Sequence, residues 1–180
     1  MGTEEIKMLI RDGGVFVEER IFIALGSNLE PENNIRRGLE LLAKKLVIKA
    51  ISPFYRSQAL GRKGDPDFLN GVIEVGTRLK PLALKYEILR PCEEGLGRIR
   101  SEDKNAPRTL DLDLILYGRR VSTVEGLELP DKGLRYYPFV AIPLLDLWPE
   151  AVLPDDGTRL KDIFPGSFEE YGLSLVEGYP

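Results

Sequence analysis

Apolar and polar residues along this chain follow two different periods, and the periods mark out its elements. Ile21-Phe22-Ile23-Ala24-Leu25 is a short apolar run closed by Gly26-Ser27-Asn28, the pattern of a buried strand. From Pro31 to Leu46 the apolar positions fall at Ile35, Leu39, Leu42 and Leu46. That spacing lines one helix face and leaves Arg36, Arg37, Glu40, Lys44 and Lys45 outside it. Ile48 to Tyr55 and Val72 to Val75 read as strands, and Pro81 to Arg90 as a helix opened by proline and ended or kinked at Pro91. Leu110 to Tyr117 is a further strand, and Phe139 to Leu147 a short helix interrupted at Pro143. Two polar loops, Ser57 to Asp67 and Gly95 to Pro107, are long enough to carry function. The tail from Pro154 gives no functional signal. These elements predict one domain over 20–180 with a mainly antiparallel sheet, after an extension over 1–19.

Composition narrows the chemistry. The chain has 180 residues, 43% hydrophobic and 30% charged, with net charge −4 and a pI near 5.1. These values are ordinary for a globular domain and run against a general nucleic-acid binder, which carries a basic face. Histidine is absent and Cys92 is the one cysteine. Hydrolytic triads and HExxH zinc sites need an imidazole, while disulfides and cysteine-rich zinc sites need more thiols. Catalysis is left to carboxylates, Lys and Arg, hydroxyls or a bound cofactor. Carboxylates with guanidinium groups suit magnesium–phosphate chemistry. No apolar run approaches the ~18 residues of a membrane-spanning helix. The start is too charged for a signal peptide, and Met1-Gly2 lacks the hydroxyl residue of a myristoylation site. A cytoplasmic protein with no membrane contact and no obligate protein partner is expected.

The chemical signal lies in Thr109-Leu110-Asp111-Leu112-Asp113-Leu114-Ile115-Leu116-Tyr117. Strand alternation places Leu110, Leu112, Leu114 and Leu116 on one face, toward the core, and Asp111 and Asp113 on the other. The two carboxylates then stand ~7 Å apart. They repel each other on an element that disfavours Asp, a penalty that a divalent cation would remove. A solvated pair on an exposed edge strand explains an isolated D-x-D equally well. The preceding loop shifts the balance, because it carries Arg98, Arg100, Lys104 and Arg108 into this strand. Four cations beside a dicarboxylate fit a polyphosphate between them, and the arginine fork grips phosphate oxygens in pairs. The bland reading of these cations is surface ion pairing with Glu93, Glu94, Glu102 and Asp103, each worth little.

Other signals are weaker. No GxxxxGK[ST] motif occurs, and Gly61-Arg62-Lys63-Gly64 reads as a flexible loop rather than a phosphate cradle. Phe68 and Asn70, two apart, offer an aromatic face and an amide to a flat heterocycle, although Phe at a strand start is more often core.

Taken together, these segments resemble the 6-hydroxymethyl-7,8-dihydropterin pyrophosphokinase family of folate biosynthesis, over roughly Ile21 to Pro149. The most specific match is Arg98-Ile99-Arg100 followed by Lys104 and Pro107-Arg108-Thr109-Leu110-Asp111-Leu112-Asp113-Leu114. Leu25-Gly26-Ser27-Asn28, Phe54-Tyr55-Arg56, Pro66-Asp67-Phe68-Leu69-Asn70 and Phe139-Val140 with Pro143-Leu144 support it. The resemblance implies a ferredoxin-like α+β fold and Mg²⁺-dependent transfer of pyrophosphate from ATP to the hydroxymethyl group of 6-hydroxymethyl-7,8-dihydropterin, leaving AMP. It implies that Asp111 and Asp113 hold two Mg²⁺, with Arg98 and Arg108 catalytic, and that Arg98, Arg100, Arg108, Leu114 and Lys132 bind ATP. Phe68 and Phe139 would sandwich the pterin, Asn70 would read its edge, and Ser57 and Leu60 would line its pocket.

The chain departs from the family pattern in places. Asp131 stands where the family usually carries a phosphate-binding histidine, with Lys132 next as a replacement cation. Tyr137 stands where an arginine is common, and Asn105 replaces a residue aromatic in some members. Pro91 falls inside a helix that is usually uninterrupted. The departures make a non-catalytic pterin- or nucleotide-binding relative the alternative, and a ferredoxin-like RNA-binding module a third reading that the acidic pI opposes.

Overall fold

The computed structural model describes residues 19–59, 64–98, 106–124 and 126–180. Five strands form one hydrogen-bonded path, and every pairing in it is antiparallel. They are β1 (Ile21–Ser27), β3 (Phe54–Ser57), β4 (Phe68–Gly76), β5 (Asp111–Tyr117) and β8 (Ser174–Val176), in the order β5-β1-β4-β3-β8. β2 (Val47–Ile51) also pairs with β4. Helix α1 (Pro31–Ala43) connects β1 to β2, and the helical segment 81–95 connects β4 to β5. With β5-β1-β4-β2 as the central order, this is the split βαβ arrangement of a ferredoxin-like α+β domain. A small hairpin, β6 (Ser122–Val124) with β7 (Leu127–Leu129), stands apart.

Helices cover both faces, so the sheet separates two cores. One core packs Ile35, Leu39 and Leu42 of α1 and Leu84, Leu89 and Cys92 of the 81–95 segment against Ile21, Ile23, Leu25, Leu112 and Leu114. The second packs Leu134, Ala141, Ile142 and Leu144 against Phe22, Tyr55, Val72, Ile115 and Leu116. Its helices are α4 (Gly133–Tyr136), α5 (Pro138–Leu147) and α6 (Leu160–Ile163).

Several expectations change in the structure. The strand expected over Ile48 to Tyr55 is two strands. Ser52 donates its N–H to the Val72 carbonyl and accepts the Val72 N–H on its hydroxyl, both at 2.9 Å. That replaces the ladder just before Pro53, which has no N–H to offer. Pro91 does not end its helix. Turns at Pro81–Ala83 (α2), Leu84–Leu89 and Arg90–Gly95 (α3) run on without a break, and the middle stretch is π-helical. The wider turn ahead of Pro91 makes room where its ring would otherwise meet a carbonyl four residues back. Helix α5 likewise continues through Pro143 rather than stopping there.

In β5 the simple alternation fails beyond Leu114. Phe22 lies opposite Leu116 and Ile23 opposite Leu114, so Ile115 is the extra residue of a bulge. Leu116 therefore joins the second core with Ile115, instead of the leucine face, while Tyr117 returns to the first. The tail beyond Pro154 also has a place. β8 extends the sheet along β3, and Tyr179 stacks edge-on against Phe54 and donates to the Glu32 carbonyl at 2.7 Å.

Candidate active site

The site grows from two adjacent rows across the sheet. Gly26 of β1 lies opposite Asn70 on one side and Asp111 on the other. One row along, Ala24 lies between Val72 and Asp113. Small residues at 24 and 26 leave the middle of the floor open. A Cβ on Gly26 would sit 3.3 Å from Asn70 Oδ1 and 3.8 Å from a Phe68 ring carbon. A cavity of about 280 Å³ opens over this floor. Ser57, Phe68, Asn70, Arg108, Asp111, Asp113 and Phe139 all line it, together with Ile115, Asp131, Gly133, Tyr137 and Val140.

On its charged side, Asp111 is gripped by two arginines. Arg98 Nη1 pairs with Oδ1, and Arg108 Nη1 pairs with Oδ2 at 2.5 Å. Burial works against the Asp111 charge, but Arg98 and Arg108 outweigh it and hold the carboxyl below its usual range. Arg98 is itself held from behind by Glu93, 2% exposed on α3. The same Glu93 carboxylate accepts the Leu112 N–H at 2.8 Å, satisfying a backbone donor on the outer edge of β5. Glu93 is thus a buried positioning residue, and not the exposed surface partner that the basic-loop spacing suggested.

Asp113 stands differently. Among the described residues it makes no ion pair. Crowding by protein, then the charges of Asp111 and Asp131, push its carboxyl up from 3.8 to about 7. Its side chain is still open to the cleft, so water moderates that shift, and its direction is what matters. A carboxyl driven toward protonation by its neighbours is a carboxyl short of a cation. The described residues include no cluster of three acidic, Cys or His ligands. Magnesium needs only one or two protein carboxylates when phosphates and waters complete its shell, so the pair fits that ion.

The other side of the cavity is aromatic and amide. The Asn70 amide nitrogen donates to Ser57 Oγ at 3.0 Å, which fixes the plane of the amide. Arg108 lies over the Phe68 ring, 5.8 Å from its centroid, and ties the two halves together. Asn28 secures the rim. Its side chain accepts the Arg108 N–H at 2.7 Å and donates to the Pro66 carbonyl at 3.3 Å, so one residue holds both loops.

Not every expected residue enters the cavity. Leu114 is 2% exposed in the core on the helix α1 side of the sheet. Lys132 is exposed on the surface and does not line the cavity. Leu60, Arg100, Lys104, Glu102, Asp103, Asn105 and the glycine-rich stretch 61–63 lie outside the described residues. The sequence reading had Asp131 and Tyr137 only as departures, yet both line the cavity. Asp131 Oδ1 accepts the Gly133 N–H at 2.7 Å, and burial, ahead of that hydrogen bond, raises its carboxyl.

The fold is ferredoxin-like, and a cavity that sets paired carboxylates and arginines beside an aromatic face is of the kind that suits phosphoryl transfer. A family model described as 7,8-dihydro-6-hydroxymethylpterin-pyrophosphokinase (HPPK) matches residues 22–149, and the chain belongs to that family. The 2-amino-4-hydroxy-6-hydroxymethyldihydropteridine pyrophosphokinase of Pseudomonas aeruginosa is 39% identical over 148 residues, 81% of this chain and 90% of that one. The protein of the same name from Haemophilus influenzae is 36% identical over 137 residues, 74% and 84% of the two chains. A folic acid synthesis protein, fol1, of Pneumocystis carinii is 37% identical over 151 residues, 81% of this chain and 20% of that one. A solved HPPK-DHPS structure in complex with substrates superposes with a TM-score of 0.62 at 12% identity. That likeness covers 86% of this chain and 44% of the other, and it is one of fold. The chain is a pyrophosphokinase of folate biosynthesis, and none of these relatives supports a non-catalytic role.

Proposed function

We propose that the cavity binds 6-hydroxymethyl-7,8-dihydropterin between Phe68 and Phe139, with Asn70 reading its edge, and that ATP lays its triphosphate across Asp111, Asp113, Arg98 and Arg108. The observation that carries this reading is that a ring-binding half and an anion-handling half share one cavity, bridged by Arg108 over Phe68. ATP is the family's co-substrate. The pterin hydroxymethyl oxygen forms a bond to the β-phosphorus, the bond from that phosphorus to the α-phosphate oxygen breaks, and AMP leaves as the hydroxyl proton is released.

Asp111 and Asp113 are the residues that would hold Mg²⁺, which when bound offsets phosphate charge and aligns the triphosphate. Asp113, open and short of a cation, presents the stronger attraction. Asp111, already tied to two arginines, keeps them gathered at the phosphate side and shares them with the incoming anion. Glu93 fixes where Arg98 can point. Ser57 orients the Asn70 amide, and its own hydroxyl faces the same pocket. Arg100 at the phosphates, Leu60 at the pterin pocket, a single domain over 20–180 and a cytoplasmic location belong to the same proposal.

The test is a product assay with ATP, Mg²⁺ and the pterin alcohol. AMP and the pterin diphosphate are expected in equal amounts, and only when all three components are present. ADP as the nucleotide product would contradict the assignment. An Arg108→Ala variant is expected to slow transfer more than it weakens pterin binding; the reverse order would move Arg108 from the phosphates to the pterin.

A further inference from the structure

Tyr137 stacks on Phe139 with ring centroids 5.1 Å apart and planes 12° from parallel. Its backbone is anchored at both ends. The Tyr137 N–H donates to the Gly133 carbonyl at 2.8 Å, and its own carbonyl accepts from Val140 and Ala141 at 3.0 and 3.1 Å. The residue therefore joins α4 to α5, and its ring leaves from a fixed point. Gly133 makes room for it, because a Cβ there would come within 3.2 Å of the Tyr137 ring.

Phe139 packs against the second core but is only partly buried. It borders the substrate cavity and also a second cavity of about 410 Å³, lined in part by Tyr136, Tyr171 and Leu173. Space on that side would let the Phe139 ring swing away from a ligand. Tyr137 borders the same two cavities and covers one face of the ring. A benzene ring has two faces, so one remains for a heterocycle.

We propose that Tyr137 is a positioning residue for the pterin: stacked on Phe139, it fixes the plane against which the substrate ring lies. The inference rests on the reading that Phe139 stacks on the pterin. The contribution comes from the ring rather than the hydroxyl, since a stacked pair needs two faces at contact distance and no polar group. Its effect falls on pterin affinity and not on ATP.

The experiment measures pterin Kd by direct titration, together with KM for pterin and for ATP, in Tyr137→Ala, Tyr137→Phe, Phe139→Ala and the double variant. Tyr137→Ala is expected to weaken pterin binding about three- to tenfold with the ATP KM within twofold. Tyr137→Phe is expected to restore the affinity. In the Phe139→Ala background the Tyr137→Ala change should have no further effect, because its partner ring is gone. Should Tyr137→Ala lower the thermal midpoint by several degrees, Tyr137→Leu is carried through the same titration and must show the same weakening. Unchanged or tighter pterin binding in Tyr137→Ala overturns the proposal, as does a change confined to the ATP KM. Unchanged pterin binding in Phe139→Ala fails the underlying reading of the pocket instead, a separate result.

Discussion

At the scale of single residues, the two aspartates that look alike in sequence are held in opposite electrostatic states. Asp111 is kept ionised by Arg98 and Arg108, whereas Asp113 is raised to about 7 by crowding and by two like charges. The sign of the pH dependence follows. A carboxyl with a folded pKa above its unfolded value retains a proton that the unfolded chain releases. Its share of stability is present below about pH 4 and is lost as pH climbs toward 7. Metal-free protein should therefore lose thermal stability over that window, modestly because cleft water screens the charge, and Asp113→Asn should flatten the slope. Thermal midpoints measured in a chelating buffer across that range decide it; an unchanged slope in Asp113→Asn means that other groups set it. Glu93 gives a second test at this scale. Its carboxylate holds Arg98 and caps the Leu112 N–H from a buried position. Glu93→Ala is expected to cost about 1–3 kcal/mol in denaturant unfolding, since it takes the acceptor from the buried Leu112 N–H and leaves Arg98 with Asp111 as its remaining carboxylate partner. A loss below about 0.5 kcal/mol would return Glu93 to the class of surface partners.

At the scale of elements, what could be read from the pattern was periodicity, and what could not was its interruption. Ile35, Leu39 and Leu42 repeat at helical spacing and are all buried, so α1 was legible. Asp111 and Asp113 do share a face, but one bulged residue at Ile115 moves Leu116 to the other core. A bulge is set by the register of the neighbouring strand, and no local pattern announces it. Pro91 reads as an end or a kink and Pro143 as an interruption, because proline costs an isolated helix a hydrogen bond, yet both helical segments continue, the first through a π-helical stretch. Ser52 splits two strands through hydrogen bonds to Val72, twenty positions away, a contact that only the fold creates. Gly71 belongs to the same category. A Cβ there would lie 2.6 Å from two carbons of the Phe54 ring, which is fully buried. Gly71→Ala is expected to destabilise the domain by about 1–3 kcal/mol, read from its denaturation midpoint, because a rigid ring cannot yield. A wild-type midpoint would show that β4 and β3 can move apart.

At the scale of the molecule, the sheet gathers sequence segments a hundred residues apart into one site. The carboxylates and arginines near position 111, the Asn70 and Phe68 pair, and Phe139 were each visible as motifs. Their meeting was implied by resemblance and could not be read from spacing, because strand order puts β1 between β4 and β5. Gly26 and Ala24 carry no chemistry of their own, yet by being small they open the floor on which the two halves meet. The roles of Asp131 and Tyr137 depended on knowing what they face. The central claim is that Asp111 and Asp113 hold the Mg²⁺ on which pyrophosphoryl transfer depends. The most direct measurement is the rate of AMP release in Asp111→Asn and Asp113→Asn, with pterin binding titrated on the same preparations. Each variant is expected to lose about a hundredfold or more in rate while keeping its affinity for the pterin. Near-normal AMP release from either variant would contradict the account.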